Sequence, residues 1–340
     1  MEIKSTLSQK EKEKIVSVWN QEYPRELAYS SVHDYDAYLS KIEILNHYLI
    51  KKEGVIVAMA SVFIREEDTW FSILINGKHQ RRGLGRQLMN QLMCDYDRLN
   101  GWMVDQEGST LATGKAYSIP ASFYQKLGFV KLSKVNEKPV RCIHIQWDKR
   151  PVVLLDLGGV VFQSTGVSND QIKWDIISRL NHVYGSMLNK GANAFPDFMK
   201  DYNDLSGQAL SGDSFLRLVF DTLQFNKTLV DSLKTDYRII IVSDNYRENI
   251  TYISERYQFK NWSEAQFYSF DFELEKSDEA FFPKLLSDIW LKPGQTVLID
   301  DSPHKLEMAE KAGIKPILFQ EGKNIKKEVE AFFNNQSSTH

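Results

Sequence analysis

Cysteine is scarce: the 340-residue chain has two, Cys94 and Cys142. One possible pair in so long a chain is no disulfide framework, which excludes a stapled secreted module and points to a reducing, cytoplasmic setting. Long apolar runs are also lacking. The strongest, Val152–Leu155 and Ile239–Val242, fall far short of the ~18 residues a membrane span needs. The opening stretch MEIKSTLSQKEKEK alternates charge with polarity and has no signal-peptide apolar core. Neither sign of charge dominates, the net being −3, and no basic stripe of the kind a nucleic-acid binder needs is present. Low-complexity tracts and internal repeats are missing. Neither nucleic acid nor membrane is therefore an expected partner, and the oligomeric state is left open. What is there is ordinary for a globular protein, 42% apolar and 26% charged. The length suggests about two domains.

The first 150 residues carry 22 Lys+Arg against 18 Asp+Glu, and the remainder 20 against 27. An acidic half suits a site that collects divalent cations, although solvated carboxylates give the same balance. Residues 1–148 read as a mixed α/β domain. Leu7–Trp19 has helical spacing, and three closely spaced strand-like runs, His47–Lys52, Val55–Arg65 and Thr69–Ile75, should pair antiparallel. A helix at Gly85–Arg98 places Leu84, Leu88, Leu92 and Tyr96 on one face. Trp102–Asp105, a helix at Ala121–Leu127 and Arg141–Trp147 complete it. At Asp148–Pro151 the pattern resets. Val152–Leu155 is wholly apolar, as in a strand buried on both faces of a parallel sheet. Strands Ile239–Val242, Thr296–Ile299 and Pro316–Phe319 then alternate with helices, which predicts a doubly wound parallel sheet over 151–322. A helical block at roughly 165–235 is inserted in it, and 323–340 is set apart as a polar tail, frayed over Asn334–His340.

Two constellations carry chemistry. Gln80-Arg81-Arg82-Gly83-Leu84-Gly85 lies between the strand ending at Ile75 and the helix starting at Gly85. Its glycines allow a tight turn with amides close to an anion, the helix N-terminus adds free donors, and Arg81, Arg82 and Arg86 add charge. A diphosphate is the natural guest; a glycine-rich turn with solvated arginines is the plain alternative. In the second, Asp156 follows Val152–Leu155 and precedes Gly158-Gly159. Ser243-Asp244-Asn245 ends the next strand, Lys276 lies in Glu275–Asp278, and Asp300-Asp301 ends a third strand. Carboxylates delivered to one sheet edge need a cation, and an all-oxygen set favours Mg²⁺.

With the later segment Ser122–Phe129, SFYQKLGF, the first constellation resembles the GNAT acetyltransferase family over residues ~3–147. The resemblance implies an N-acetyltransferase that uses acetyl-CoA. The pyrophosphate would lie on the amides of Arg81–Arg86, with Gln80 and the strand end at Leu74 and Ile75 as further contacts. Tyr124 would be the acid that reprotonates the leaving thiolate. No base is singled out among Glu66, Glu67, Asp68, Asp105, Glu107 and His79.

The second constellation resembles the haloacid dehalogenase-like (HAD) hydrolase superfamily over ~151–322, through DLGGV at Asp156–Val160 and VLIDDSP around Asp300-Asp301. That resemblance makes Asp156 the nucleophile of an aspartyl-phosphate step, Lys276 its charge-neutralising partner, and Ser243, Asp244 and Asn245 the phosphate-binding turn. Mg²⁺ would be held by Asp156, the carbonyl of Gly158, Asp300 and Asp301, under a helical cap. Two positions depart from the family pattern. Gly158 stands where phosphatases carry a second aspartate as general acid, and Lys305 where Asn or Asp commonly follows the last motif. The implied protein is bifunctional, acting on an amine and on a phosphorylated metabolite. The alternatives are an HAD-like half that only docks a phosphorylated acceptor, and a dehalogenase.

Overall fold

The structure is a computed structural model and describes residues 1–137, 139–166 and 169–337. Two compact units form, residues 1–149 and 150–340. No helix among the described residues is long and apolar enough to cross a membrane. Cys94 and Cys142 are both free.

The N-terminal unit runs β1 (Glu2–Lys4), α1 (Gln9–Glu22), α2 (Val32–Leu39), β2 (Glu43–Lys52), β3 (Val55–Arg65), β4 (Asp68–Ile75), α3 (Leu84–Asp95), β5 (Arg98–Val104), α4 (Ala121–Lys126), β6 (Val130–Asn136) and β7 (Cys142–Asp148). Its sheet has the order β1-β2-β3-β4-β5-β7-β6. Helix α1 begins on a capping box: Ser8 Oγ accepts from Glu11 N, and Ser8 N donates to Glu11 Oε2 at 2.8 Å. Its Ile15, Val16 and Val18 pack with Tyr35 of α2 against Leu49, Met59 and Leu74 of the sheet. Strands β2, β3 and β4 form the expected antiparallel meander. β4 and β5 are parallel and share a single registered pair, Trp70↔Asn100. Buried Asn100 marks that fork. Its Nδ2 donates to Thr69 O at 3.0 Å, and its Oδ1 accepts from Gln146 Nε2 at 3.0 Å and lies 2.8 Å from His144 Nε2. Beyond it the edges at Ile73–Ile75 and Trp102–Val104 have no registered pair with each other.

The C-terminal unit runs β8 (Val152–Leu155), β9 (Phe162–Ser164), α5 (Trp174–Asn189), α6 (Phe195–Ser206), α7 (Gly212–Phe220), β10 (Leu223–Phe225), α8 (Lys227–Lys234), β11 (Arg238–Ser243), α9 (Arg247–Arg256), β12 (Ala265–Tyr268), α10 (Ser269–Phe272), α11 (Phe281–Ile289), β13 (Thr296–Asp300), α12 (Pro303–Lys311), β14 (Lys315–Leu318) and α13 (Ile325–Ser337). The five-stranded sheet is parallel throughout, in the order β12-β11-β8-β13-β14. Every residue of β8 is buried, as the apolar run requires for a central strand.

Two expectations need correction here. The segment after 322 is no free tail: α13 buries Ile325 and Val329 in the core, and Phe333 stacks on Tyr237. Residues 325, 329, 332 and 333 lie on one helical face, which the polar residues between them mask. Only Ser338–His340 of the expected frayed end lie outside the described residues. The cap is also shorter than 165–235, since α8 packs on β11 and α13 as part of the sheet's covering layer.

Candidate active sites

In-register parallel pairing builds the C-terminal site. Leu155 is level with Ile241 on one side and Ile299 on the other. The next residues, Asp156, Val242 and Asp300, therefore emerge together. Lys276 crosses under them and is completely buried. Its Nζ lies 2.7 Å from Asp156 Oδ1, 2.5 Å from Asp300 Oδ2 and 3.3 Å from Val242 O. Burial alone would lower this ammonium's pKa; Asp156, Asp300 and Asp244 reverse that and hold it above the usual lysine value. Asp301 joins the group, and one oxygen from each of Asp156, Asp300 and Asp301 lies within 4.8 Å of the others. Burial raises the carboxyl of Asp300 against the pull of Lys276, and burial with Asp156 raises that of Asp301.

The turn after Asp156 separates two glycines. Gly159 is left-handed, with φ +72°, and a Cβ there would fall 1.9 Å from Asp301 Oδ2. Gly158 has no such backbone demand, and a Cβ on it would meet nothing within 4 Å. The fold thus requires glycine at Gly159 and not at Gly158.

Of the expected phosphate-binding turn, Ser243 is buried at the end of β11. The side chains of its neighbours serve the scaffold. Asp244 Oδ1 accepts from Lys276 N at 2.8 Å, and its Oδ2 pairs with Lys305 Nζ at 2.9 Å. Asn245 Oδ1 accepts from Tyr246 N at 3.0 Å and Asn249 Nδ2 at 2.9 Å. The unexpected Lys305 thus braces the carboxylate that holds the Lys276 loop. Glu275, beside Lys276, fastens the cap: it accepts from Ser186 Oγ at 3.1 Å and Asn189 Nδ2 at 2.8 Å, while Lys190 meets Asp278 at 3.1 Å. Apart from the local contacts of Asn245, these partners lie 32 to 89 residues apart in sequence, and no local pattern reveals them.

Net charge tests the metal. Four carboxylates, Asp156, Asp244, Asp300 and Asp301, face two ammonium groups, Lys276 and Lys305. The surplus of two negative charges with an all-oxygen donor set fits a divalent cation.

In the N-terminal unit the cradle is open. Arg81 and Gly83 are both left-handed, φ 58° and 81°. Gly83 caps α3 without a side-chain hydrogen bond. The first-turn amides of Leu84, Gly85 and Arg86 have no intrahelical acceptor. Among the described residues Arg81, Arg82 and Arg86 have no carboxylate partner. The set fits an anionic group. Other expected contacts are structural. Gln80 Nε2 donates to Glu22 Oε2 at 3.1 Å and Ile75 O at 3.2 Å. Leu74 is core. Gly85 makes room for Phe123, whose ring would lie 3.2 Å from a Cβ. Tyr124 is buried among Phe71, Phe123 and Phe129, and burial, with Tyr117 nearby, keeps its phenol protonated well above the ordinary value. Tyr23, not singled out in the sequence, donates to Ile73 O at 2.7 Å and stacks on Trp19 at 3.9 Å.

Comparison with known proteins bears on both units. Residues 44–131 match the acetyltransferase (GNAT) domain, and residues 220–319 match the haloacid dehalogenase-like hydrolase. A comparison with curated sequences gives no significant match. Similar solved structures include a HAD family enzyme from Bacteroides thetaiotaomicron in magnesium complex, at 17% identity over 53% of this chain and 98% of that one, TM-score 0.44. An aminoglycoside 6'-N-acetyltransferase complexed with coenzyme A matches at 14% identity over 44% and 98%, TM-score 0.36. The ribosomal-protein-S18-alanine N-acetyltransferase from Escherichia coli matches at 16% identity over 43% and 92%, TM-score 0.30. The two family matches place an acetyltransferase (GNAT) domain at residues 44–131 and a haloacid dehalogenase-like hydrolase domain at residues 220–319.

Proposed function

We propose that the protein is bifunctional, with an acetyl-CoA-dependent N-acetyltransferase in its N-terminal unit and a Mg²⁺-dependent phosphohydrolase in its C-terminal unit. The observation that carries the second activity is buried Lys276 held between Asp156 and Asp300. A lysine so placed pairs with Asp156, the group that attacks phosphorus, and spreads positive charge toward the phosphoryl oxygens as the aspartyl-phosphate forms. The backbone of the Ser243 turn, with the Ser243 hydroxyl, receives those oxygens. Mg²⁺, held by Asp156, Asp300, Asp301 and the Gly158 carbonyl, supplies further charge neutralisation when bound. Gly158 cannot move a proton, so the activity is confined to leaving groups that depart without an acid.

In the N-terminal unit the amides of Arg81–Arg86 and their guanidinium groups hold the diphosphate. Acetyl-CoA supplies the activated acetyl thioester. Tyr124, kept protonated by burial, provides the proton a departing thiolate requires.

Gly158 also favours a second reading, an HAD-like unit that binds a phosphorylated acceptor without hydrolysing it. Mg²⁺-dependent hydrolysis of p-nitrophenyl phosphate separates the two. Measurable turnover by the wild type and none by Asp156→Asn is expected. Equal inactivity of both proteins, with phosphorylated ligands still bound, would establish the docking reading.

A further inference from the structure

The cations named above at the C-terminal site each have a carboxylate partner. Lys276 lies between Asp156 and Asp300, Lys305 pairs with Asp244, and Lys190 pairs with Asp278. Arg247, four residues beyond Ser243, is different. It is exposed, its side chain donates no hydrogen bond, and among the described residues no carboxylate lies within ion-pair distance of it. Asp271 feels its charge, but that carboxylate is engaged by Tyr268 N, which donates to its Oδ2 at 3.1 Å.

The guanidinium has a fixed seat all the same. It lies over the ring of Phe270, 4.5 Å from the centroid. Phe270 is buried and follows Ser269, whose hydroxyl accepts from Asn245 N at 3.1 Å and donates to Asn245 O at 3.3 Å. The platform under Arg247 is therefore tied to the turn Ser243–Asn245. The cap reaches the same place: a Cβ on Gly191, just after α5, would lie 3.7 Å from Arg247 Nη2. Asn189, the last residue of α5, is held by Glu275, next to Lys276. Arg247 thus stands where the cap meets the turn.

Helix stability does not account for its charge. Arg247 is the first residue of α9, and no side chain caps that helix. A cation there faces the positive end of the helix dipole, where an acid would be favoured. A guanidinium has five N–H donors in a planar fork, and lying over a ring leaves the edge of that fork for an oxyanion.

We propose that Arg247 forms a second anion subsite, so that the ligand of the HAD-like unit is a phosphorylated metabolite with a carboxylate or a second phosphate at its other end. The phosphate lies at Lys276 and the Ser243 turn, the chain of the ligand runs under the cap, and the second anion meets Arg247. The proposal rests on phosphate binding at Lys276, which the phosphohydrolase and docking readings share.

The test is a binding titration of the full chain, with Mg²⁺ in excess, against inorganic phosphate and against phosphonates, whose C–P bond resists hydrolysis. The phosphonates are short straight chains of graded length that end in a carboxylate, in its amide or in a second phosphonate. For at least one length, the carboxylate or the diphosphonate should bind about tenfold or more tightly than the amide, the effect of one charge-assisted contact. The better of the two identifies the second anion. Arg247→Gln should bring that ligand down to the level of the amide and leave inorganic phosphate where it was. Arg247→Met, which keeps a long side chain over Phe270, gives the same reading if Arg247→Gln does not fold. Equal binding of charged and amide ends at every length, or a preference that survives in the variants, would overturn the subsite and leave the phosphate site standing. A matching loss of inorganic phosphate binding in the variants would make Arg247 a part of the scaffold and overturn the subsite as well. No binding of phosphate or of any phosphonate to the unmodified protein would overturn the phosphate site and the subsite together.

Discussion

Gly158 and Gly159 stand side by side after Asp156 but answer to different constraints. At Gly158 the backbone is ordinary and a Cβ would have open space, so the fold does not impose glycine there. Gly158→Asp should therefore fold normally and place a proton donor near the leaving group. General acid–base help is worth about 10²–10⁴-fold; an increase of that order on an alkyl phosphate, with p-nitrophenyl phosphate turnover changing far less, is the expected result. No increase on alkyl phosphates in a folded variant would remove the missing acid as the reason for slow hydrolysis. At Gly159 the left-handed backbone and the Asp301 carboxylate both exclude a side chain. Gly159→Ala should cost at least about 1–2 kcal/mol from backbone strain alone, and pushing Asp301 aside should weaken Mg²⁺ binding. Chemical denaturation and a Mg²⁺ titration on the same variant read the two effects. Unchanged stability would show that the turn can relax.

The elements that deliver these residues differ in how they write themselves into the sequence. The helix start at α3 is testable at Gly83, whose missing Cβ faces open space but whose φ of +81° resists most side chains. Asn and Asp tolerate that conformation better than other residues and have nearly the same shape. Gly83→Asn should keep most of the thermal shift that acetyl-CoA induces, and Gly83→Asp should lose it through charge. Equal shifts in both would move the diphosphate elsewhere. Gly85→Asp is a poorer probe, since any side chain there collides with Phe123. Central strands such as Val152–Leu155 and Ile239–Val242 were legible because burial on both faces leaves an unbroken apolar run. So were the strand-end residues Asp156, Ser243 and Asp300, which follow those runs directly. Of the edge elements β14 was legible and others were not. β12 is a four-residue edge strand with a mixed burial pattern, β6 lies at the sheet margin, and α13 hides its apolar stripe among polar residues. The supporting contacts were hidden for a different reason: Lys305–Asp244, Glu275–Asn189 and Tyr23–Ile73 join positions far apart in the chain.

At the scale of the whole molecule, two compact units with separate cores should respond differently to acid. In the N-terminal unit His47 is buried, and burial lowers its pKa from 6.5 to about 4. A histidine depressed in the folded state contributes stability that is full above its unfolded value and is lost as pH falls from about 6.5 to about 4. Glu11 adds to this: burial opposes ionisation, but the hydrogen bonds from Ser8, Lys4 and Lys51 prevail and lower it from 4.5 to about 2. Its contribution is present above 4.5 and lost as pH falls toward 2. In the C-terminal unit burial raises Asp300 and Asp301, which therefore favour the folded state more once protonated, the opposite sign. Calorimetric scans of the full chain between pH 7 and pH 4.5 should show two transitions. The one that added Mg²⁺ displaces belongs to the C-terminal unit, and the other should fall in temperature as pH drops. His47→Gln, which can keep a hydrogen bond to Ser61, should flatten that fall. A pH dependence unchanged by His47→Gln would mean that the imidazole takes up its proton inside the folded sheet, beside Ser61.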